Sequence, residues 1–269
     1  NLKVGYRVCV DRGTFCGKCE LCKKGKYNLC KNMEFLSAPR TLGAMREYIT
    51  HPAELCFKLP DNVSTLEAAL VEPLAVGMSS VIRSGIHVGD SAVVLGCGCI
   101  GLVTIMALKA AGITDITAVD LFDIRLNKAL EVGATRVINT KDKDTVSEVL
   151  KYYENIGPDY VFETAGSRYT AEASVYICKK GGIIMQVGNV VGETSLNLQR
   201  MCDKELTLMT CFRYRNVYPV CIEAIAAGRI NVKNIISEVY PFERIMDAFE
   251  DCINNRQSMV KAVVKICGD

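Results

Sequence analysis

From Ser91 onward the chain alternates short apolar runs with longer stretches whose apolar residues recur at helical spacing. Six runs read as strands: Ala92–Leu95, Ile116–Asp120, Arg136–Ile138, Asp159–Glu163, Ile183–Val187 and Glu205–Thr210. Helical patterns lie between most of them, at Ile100–Ala111, Asp123–Val132, Thr145–Glu154 and Thr170–Lys179, with Gly112, Gly133 and Gly181 where helix C-caps belong. This alternation predicts an α/β fold with a doubly wound parallel sheet. Ser91–Leu108 carries no charge over eighteen residues, but Gly96, Gly98 and Gly101 break its first half. A strand, a glycine turn and a buried helix therefore explain it better than a membrane span.

Residues 1–62 have a different texture, strand and loop, with turn signals at Gly5, Gly13, Gly17, Gly25, Pro39, Gly43 and Pro52. Ser64-Thr65-Leu66-Glu67 spells a capping box that opens a short helix. Pro73 interrupts that run, and a second helix follows to Arg83, stopped by Ser84-Gly85. After Thr210 come a helix around Pro219–Ala227, another around Glu243–Asn255 and an apolar strand at Val260–Ile266, too many elements for a tail. They are expected to return to the first domain.

At 269 residues, 49% apolar and 23% charged, the composition excludes a wholly disordered chain and allows one large or two ordinary domains. The net charge, 32 − 30 = +2, gives no electrostatic reason to expect an acidic polymer as partner. The chain opens Asn-Leu-Lys-Val-Gly, with neither a secretory signal nor an initiator methionine. It reads as a cytoplasmic protein with reduced thiols whose true N-terminus lies further upstream.

Gly96-Cys97-Gly98-Cys99-Ile100-Gly101 fits G-x-G-x-x-G, directly after an apolar strand and at the start of an apolar helix. Asp120 follows nineteen residues after Gly101, at the end of the second strand. Each part has a physical reason: Gly96 for the tight turn, Gly98 for close approach to a pyrophosphate, Gly101 for helix–strand packing, and the helix start around Ile100 for the phosphate charge. Asp120 would accept from the adenosine ribose and repel a 2′-phosphate, which favours NAD over NADP, while Arg125 could serve either cofactor. The bland alternative is a glycine turn in some other α/β protein.

Cys16, Cys19, Cys22 and Cys30 give C-x2-C-x2-C-x7-C, a spacing suited to a closed tetrahedral structural zinc. Disulfides are disfavoured in a cytosolic setting, and the last spacing is unlike that of a ferredoxin cluster. Lys18, Lys23, Lys24, Lys26 and Lys31 lie in the same loop. A solvated basic loop explains them better than nucleic-acid binding, since only Phe15 and Tyr27 supply aromatic rings nearby.

Four cysteines followed by a dinucleotide unit resemble the zinc-dependent medium-chain dehydrogenase/reductase family. Tyr27-Asn28-Leu29-Cys30, Lys58-Leu59-Pro60-Asp61-Asn62-Val63, Glu72-Pro73-Leu74-Ala75-Val76-Gly77 and Phe212-Arg213-Tyr214-Arg215-Asn216 are similar to its sorbitol and xylitol dehydrogenase branch. The resemblance implies a partial GroES-like barrel domain at 1–75, a Rossmann domain at 76–212, and a return to the barrel domain over 213–269. It implies a catalytic zinc held by a cysteine and a histidine–glutamate pair that lie upstream of this chain's start, so that the 269 residues alone turn over no polyol. His51 and His87 are the only histidines, and neither is promoted to a ligand.

The same resemblance places Glu72 at the catalytic zinc, as a ligand or as partner of its bound water. It sets Phe35, Arg213 and Tyr214 around the substrate. Ala38 and Arg40 stand where relatives often carry threonine and proline. The implied reaction is reversible oxidation of a polyol's secondary alcohol to the ketose with NAD, in a homo-oligomer of two or four chains. The alternatives are a sister dehydrogenase acting on a sugar acid, a simple alcohol or threonine, and a non-catalytic NAD-binding protein.

Overall fold

The computed structural model describes residues 2–37 and 42–267, so the expectations for Ala38 and Arg40 lie outside the described residues. The chain forms two compact units, Asn1–Ala75 with Phe212–Asp269, and Val76–Cys211. In chain order the first unit opens with β1 (Val8–Val10), β2 (Gly13–Thr14), the single-turn α1 (Glu20–Lys23), β3 (Glu34–Phe35), β4 (Cys56–Lys58) and α2 (Thr65–Ala68). β1 pairs antiparallel with β4, and β2 with β3. α2 starts on the expected capping box, in which the Glu67 amide donates to Ser64 Oγ and the Ser64 amide donates to Glu67 Oε2.

α3 (Val71–Ser84) carries the chain onward. It begins two residues before Pro73 rather than after it. Proline costs nothing there, because the first-turn N–H groups have no partner inside the helix.

The second unit runs β5 (Ser91–Leu95), α4 (Cys99–Ala110), β6 (Asp115–Asp120), α5 (Asp123–Val132), β7 (Arg136–Asn139), α6 (Thr145–Tyr152), β8 (Tyr160–Glu163), α7 (Arg168–Ile177), β9 (Ile183–Gln186), α8 (Leu198–Asp203) and β10 (Thr207–Thr210). The six strands form one parallel sheet ordered β10-β9-β8-β5-β6-β7. Strand order reverses at β5, the switch point where such sheets open a crevice at their carboxyl ends. Leu95 is in register with Val119 on one side and Glu163 on the other, so the segments starting at Gly96, Asp120 and Thr164 leave the sheet side by side.

Burial explains why these strands read as continuous apolar runs. Ala92, Val93, Val94 and Leu95 are all inaccessible to solvent. Val93 and Leu95 share a core cluster with Val119, Ile138, Val149, Val161, Val175 and Ile184.

Two local expectations change. α8 carries no buried residue and so no apolar stripe to read. What starts it is Asn197, whose side chain accepts from the Arg200 amide. Gly181 is not a helix C-cap, since α7 ends four residues earlier and Cys178 is already extended. The end of α7 is capped instead by Lys204, whose ammonium donates to the carbonyls of Val175, Tyr176 and Cys178 at 3.2, 2.7 and 2.6 Å.

The chain then returns to the first unit through α9 (Tyr218–Ala226), β11 (Glu238–Pro241), α10 (Ile245–Asn254) and β12 (Ala262–Lys265), with β11 and β12 paired in parallel. Among the described residues no helix is long and apolar enough to cross a membrane.

Candidate functional sites

The cysteine lobe is built by two short helical turns. Cys19 precedes α1, Cys22 lies within it, and a 3-10 turn at Tyr27–Leu29 delivers Cys30. All four sulfurs lie within 4.8 Å of one another. Cys16 Sγ is 4.0 Å from Cys22 Sγ and 3.5 Å from Cys30 Sγ, and Cys19 Sγ is 4.0 Å from Cys30 Sγ.

A disulfide needs about 2.05 Å, so none is formed. A tetrahedron of thiolates around zinc at about 2.3 Å puts its sulfurs about 3.8 Å apart, which these spacings fit. The backbone amides of Lys18 and Cys19 hold the Cys16 thiol below its ordinary value, while burial among the neighbouring sulfurs pushes the Cys22 thiol up. Phe15 stacks on Tyr27 with ring centroids 4.4 Å apart, and the Tyr27 hydroxyl accepts from the Asn216 amide. The lobe is thereby tied to the returning segment. The five lysines of the loop are solvent-exposed.

A second constellation, also within the first unit, gathers Phe35, Glu72, Arg213 and Tyr214. Arg12 Nε lies 2.9 Å from Glu72 Oε1. The Tyr214 hydroxyl lies 3.4 Å from the same oxygen and 3.2 Å from Asp11 Oδ1, and donates to one of the two at a time. Tyr214 is 1% exposed and Asp11 2%, so both are held inside the fold.

Burial, with Glu72 and Asp11 adding to it, pushes the Tyr214 phenol far above its ordinary value, so it stays neutral, and its oxygen also accepts from Arg213 Nη2 at 3.3 Å. Burial likewise raises the Asp11 carboxyl. Arg213 takes the left-handed conformation at φ 55°, which a non-glycine residue adopts only where its surroundings hold it. Those surroundings are the Phe35 ring 4.1 Å from its guanidinium carbon, Asp11 Oδ1 at 3.6 Å, and Gly13, where any Cβ would come within 2.7 Å of the guanidinium.

Sequence reasoning missed Asp11, Arg12 and Tyr218, whose hydroxyl lies 3.3 Å from that of Tyr214. The one available signal was an acid ending an apolar strand, the same pattern that marked Asp120. His51, not promoted to a ligand from the sequence, is half-buried, with its Nε2 2.7 Å from the Asp11 carbonyl oxygen. Glu72 does not by itself make a metal centre. Among the described residues only the four cysteines gather three or more possible ligands, and the Glu72 carboxylate is held by a guanidinium and a phenol.

The third site is the crevice at the carboxyl end of the parallel sheet, a cavity of about 680 Å³ lined by Gly96, Gly98, Asp120, Arg125, Thr164 and Tyr169 among others. That volume lies in the range of small-molecule pockets. Gly96 turns the chain out of β5 at φ 94°. Gly101 packs so closely that a Cβ there would lie 1.9 Å from the Gly96 carbonyl oxygen. Gly98 caps α4 without any side-chain hydrogen bond, and a Cβ on it would meet nothing within 4 Å.

α4 thus opens beside the crevice with Ile100 as its second residue, and a helix N-terminus suits an anion. Asp120 is 8% exposed. Its Oδ2 accepts from the Cys97 amide at 2.7 Å, and its Oδ1 from the amides of Leu121 and Phe122 at 2.7 and 3.1 Å. Oδ2 keeps a lone pair for a further donor. Arg125 approaches it at 4.0 Å and lies over the Phe122 ring. The residues present thus fit a dinucleotide. Cys97, inside the turn, is wholly buried, and burial raises its thiol far above the ordinary value, which makes it inert.

Residues 99–227 match the family model described as a zinc-binding dehydrogenase, and residues 1–61 match that of an alcohol dehydrogenase GroES-like domain. A zinc-type alcohol dehydrogenase-like protein of Escherichia coli K12, itself uncharacterised, is 43% identical over 98% of this chain and 76% of its own length. A sorbitol dehydrogenase of Bacillus subtilis is 35% identical over 97% of this chain and 74% of its own. A solved structure described as a short chain alcohol dehydrogenase of Escherichia coli CFT073, complexed with NADH, superposes with a TM-score of 0.93 at 26% identity, covering 98% of this chain and 77% of that one. The glycine turn, the parallel sheet and the four-cysteine lobe accordingly fall within one known architecture, and the chain belongs to the zinc-binding alcohol dehydrogenases of the medium-chain dehydrogenase/reductase family.

Proposed function

We propose that the protein is a polyol dehydrogenase that oxidises a secondary alcohol to the ketone with NAD. The observation that carries the polyol reading is the charge balance of the Glu72 constellation. It holds two carboxylates, Asp11 and Glu72, and two guanidiniums, Arg12 and Arg213, each acid within 3.6 Å of a base. A matched set favours a neutral substrate rich in hydroxyls over an anionic sugar acid. The likeness to sorbitol dehydrogenase supports the same class.

In the reaction the substrate carbon gives up a hydride and its oxygen a proton, leaving a ketone. When bound, NAD accepts the hydride. Gly96, Gly98, Gly101 and the N-terminus of α4, with Ile100 in its first turn, hold the pyrophosphate. Asp120 holds the adenosine ribose and Arg125 braces Asp120. Arg213 supplies donors that orient hydroxyls, Phe35 supplies the apolar wall, and Glu72, steadied through Oε1 by Arg12 and by the buried Tyr214 hydroxyl, is the group placed to take or orient the hydroxyl proton. Cys16, Cys19, Cys22 and Cys30 hold a structural zinc. The described residues around Glu72 do not form a metal-ligand set.

The test is NADH absorbance with xylitol, sorbitol and a sugar acid, on protein expressed from its complete reading frame, before and after a zinc chelator. Chelator-sensitive NADH formation with a polyol is the expected result. Turnover of the sugar acid alone, or none in a protein shown to bind NAD, would discard polyols.

A further inference from the structure

The most deeply buried carboxylate in the second unit is one that the proposed reaction does not use. Glu163 ends β8, is 0% exposed, and lies beside the crevice rather than in its lining. A buried carboxylate persists only where donors surround it. Glu163 Oε1 accepts from the Gly166 amide at 2.9 Å and from Thr170 Oγ1 at 2.7 Å, and Oε2 accepts from the Gln186 side-chain amide. Its main-chain carbonyl accepts from the amides of Val187 and Gly188 at 2.8 and 2.9 Å. One residue thus joins the turn after β8, the first turn of α7 and the turn after β9. Two glycines let these turns close. A Cβ on Gly188 would lie 2.3 Å from the Gly166 nitrogen, and one on Gly166 would lie 2.8 Å from the Asn189 carbonyl oxygen.

The turn that Glu163 anchors is the one against which the phosphate-binding glycines pack. A Cβ on Gly96 would fall 2.8 Å from Ala165 Cα. The Thr164 hydroxyl lies 2.8 Å from the Gly96 carbonyl oxygen and would be 2.9 Å from a Cβ on Gly101. Thr164, Ala165 and Ser167 all line the crevice.

We propose that Glu163 is a positioning residue for the dinucleotide. By pinning Thr164–Gly166 it sets where Gly96 and Gly101 hold the pyrophosphate, without touching the ligand itself. This rests on the nucleotide reading of the crevice.

The experiment titrates NADH, ADP-ribose and adenosine into wild type, Glu163→Gln and Glu163→Ala, by fluorescence and competition, with thermal unfolding recorded for each. In Glu163→Gln the new NH2 faces that of Gln186, donor against donor. The Kd for NADH and ADP-ribose is expected to rise roughly ten- to a hundredfold, the scale set by misplacing a binding group by about 1 Å. Adenosine, which lacks the phosphates, should bind as before, a split that a general loss of fold would not produce. The double variant Glu163→Gln with Gln186→Glu, which restores a donor–acceptor pair between the two, should recover part of the affinity.

Folded variants that bind NADH like wild type, or that lose adenosine equally, overturn the inference. A wild type that binds no NADH overturns the nucleotide reading and this inference with it. Should both Glu163 variants fail to fold, Gln186→Leu removes one donor outside the crevice lining. A smaller rise in the NADH Kd with adenosine unchanged is expected, and no rise overturns the assignment.

Discussion

Replacing Asp120 with alanine tests cofactor choice at the residue where the geometry is fullest. The carboxylate accepts three backbone N–H groups, from Cys97, Leu121 and Phe122. Its spare lone pair on Oδ2 is the proposed acceptor for a ribose hydroxyl. A hydrogen bond to a charged group is worth about 1.5–3 kcal/mol. Losing one at about 2 kcal/mol weakens NADH binding roughly thirtyfold.

NADPH responds differently, because the same substitution removes a negative charge facing its 2′-phosphate. That repulsion is on the order of 1–2 kcal/mol even at the dielectric of water. NADH should therefore weaken while NADPH holds or strengthens, and the ratio of their Kd values should move by roughly two orders of magnitude in all. The orphaned amides cost stability too, about 1–3 kcal/mol for each that water cannot reach, so unfolding is measured alongside. Asp120→Asn separates the effects, since it keeps the acceptor for Leu121 and Phe122 while removing the charge. Fluorescence titration of both cofactors gives the ratio. A ratio unchanged in folded Asp120→Ala would refute the ribose role.

Three further outcomes are expected. Stripping zinc with a chelator, or Cys16→Ser, should release one metal ion per chain in a colorimetric zinc assay and lower the first unfolding transition, since thiolates this close repel without a cation; a chain that holds no zinc would remove the structural-metal reading. Lys204→Met, which uncaps three carbonyls at the end of α7, should cost about 2–4 kcal/mol by denaturant unfolding while leaving NADH affinity intact. For Asp159, burial pushes the carboxyl up, but hydrogen bonds from Lys179 and Ser91 outweigh it and hold the group below its ordinary value. A depressed carboxyl stabilises the fold above the unfolded value, about 3.9, and that contribution is lost as pH falls through the lower folded value. The gap between wild type and Asp159→Asn, on the order of 1 kcal/mol at neutral pH, should therefore close in acid; a gap constant with pH would count against it.

The parallel sheet was legible because its strands are buried on both faces and its helices carry periodic apolar stripes, so all six strands stand within two residues of where Ala92–Leu95, Ile116–Asp120 and their companions read. α8 was not legible, because a six-residue helix with no buried side chain leaves no pattern. The cysteine lobe could be read from spacing alone, since sulfur ligands lie close together in sequence. The Glu72 constellation could not. Asp11, Arg12 and Phe35 come from one end of the chain and Arg213, Tyr214 and Tyr218 from the other, and only a likeness to known motifs suggested part of it. Glu163 passed as one more residue of an apolar strand, because its meaning lies in donors brought from Gly166, Thr170 and Gln186.

That split assembly orders events on the ribosome. Residues 76–211 are contiguous, so this unit can fold while translation continues, once β8 is made to pair with β5. The opening residues must wait. The partners of Asp11 and Phe35 emerge only with Arg213 and Tyr214, some two hundred positions later, and β11 and β12 later still. A released chain ending just before Phe212 would contain every residue that lines the crevice but no Glu72 constellation, and its first segment would present β1 to β4 and the cysteine lobe to chaperones without their closing partners.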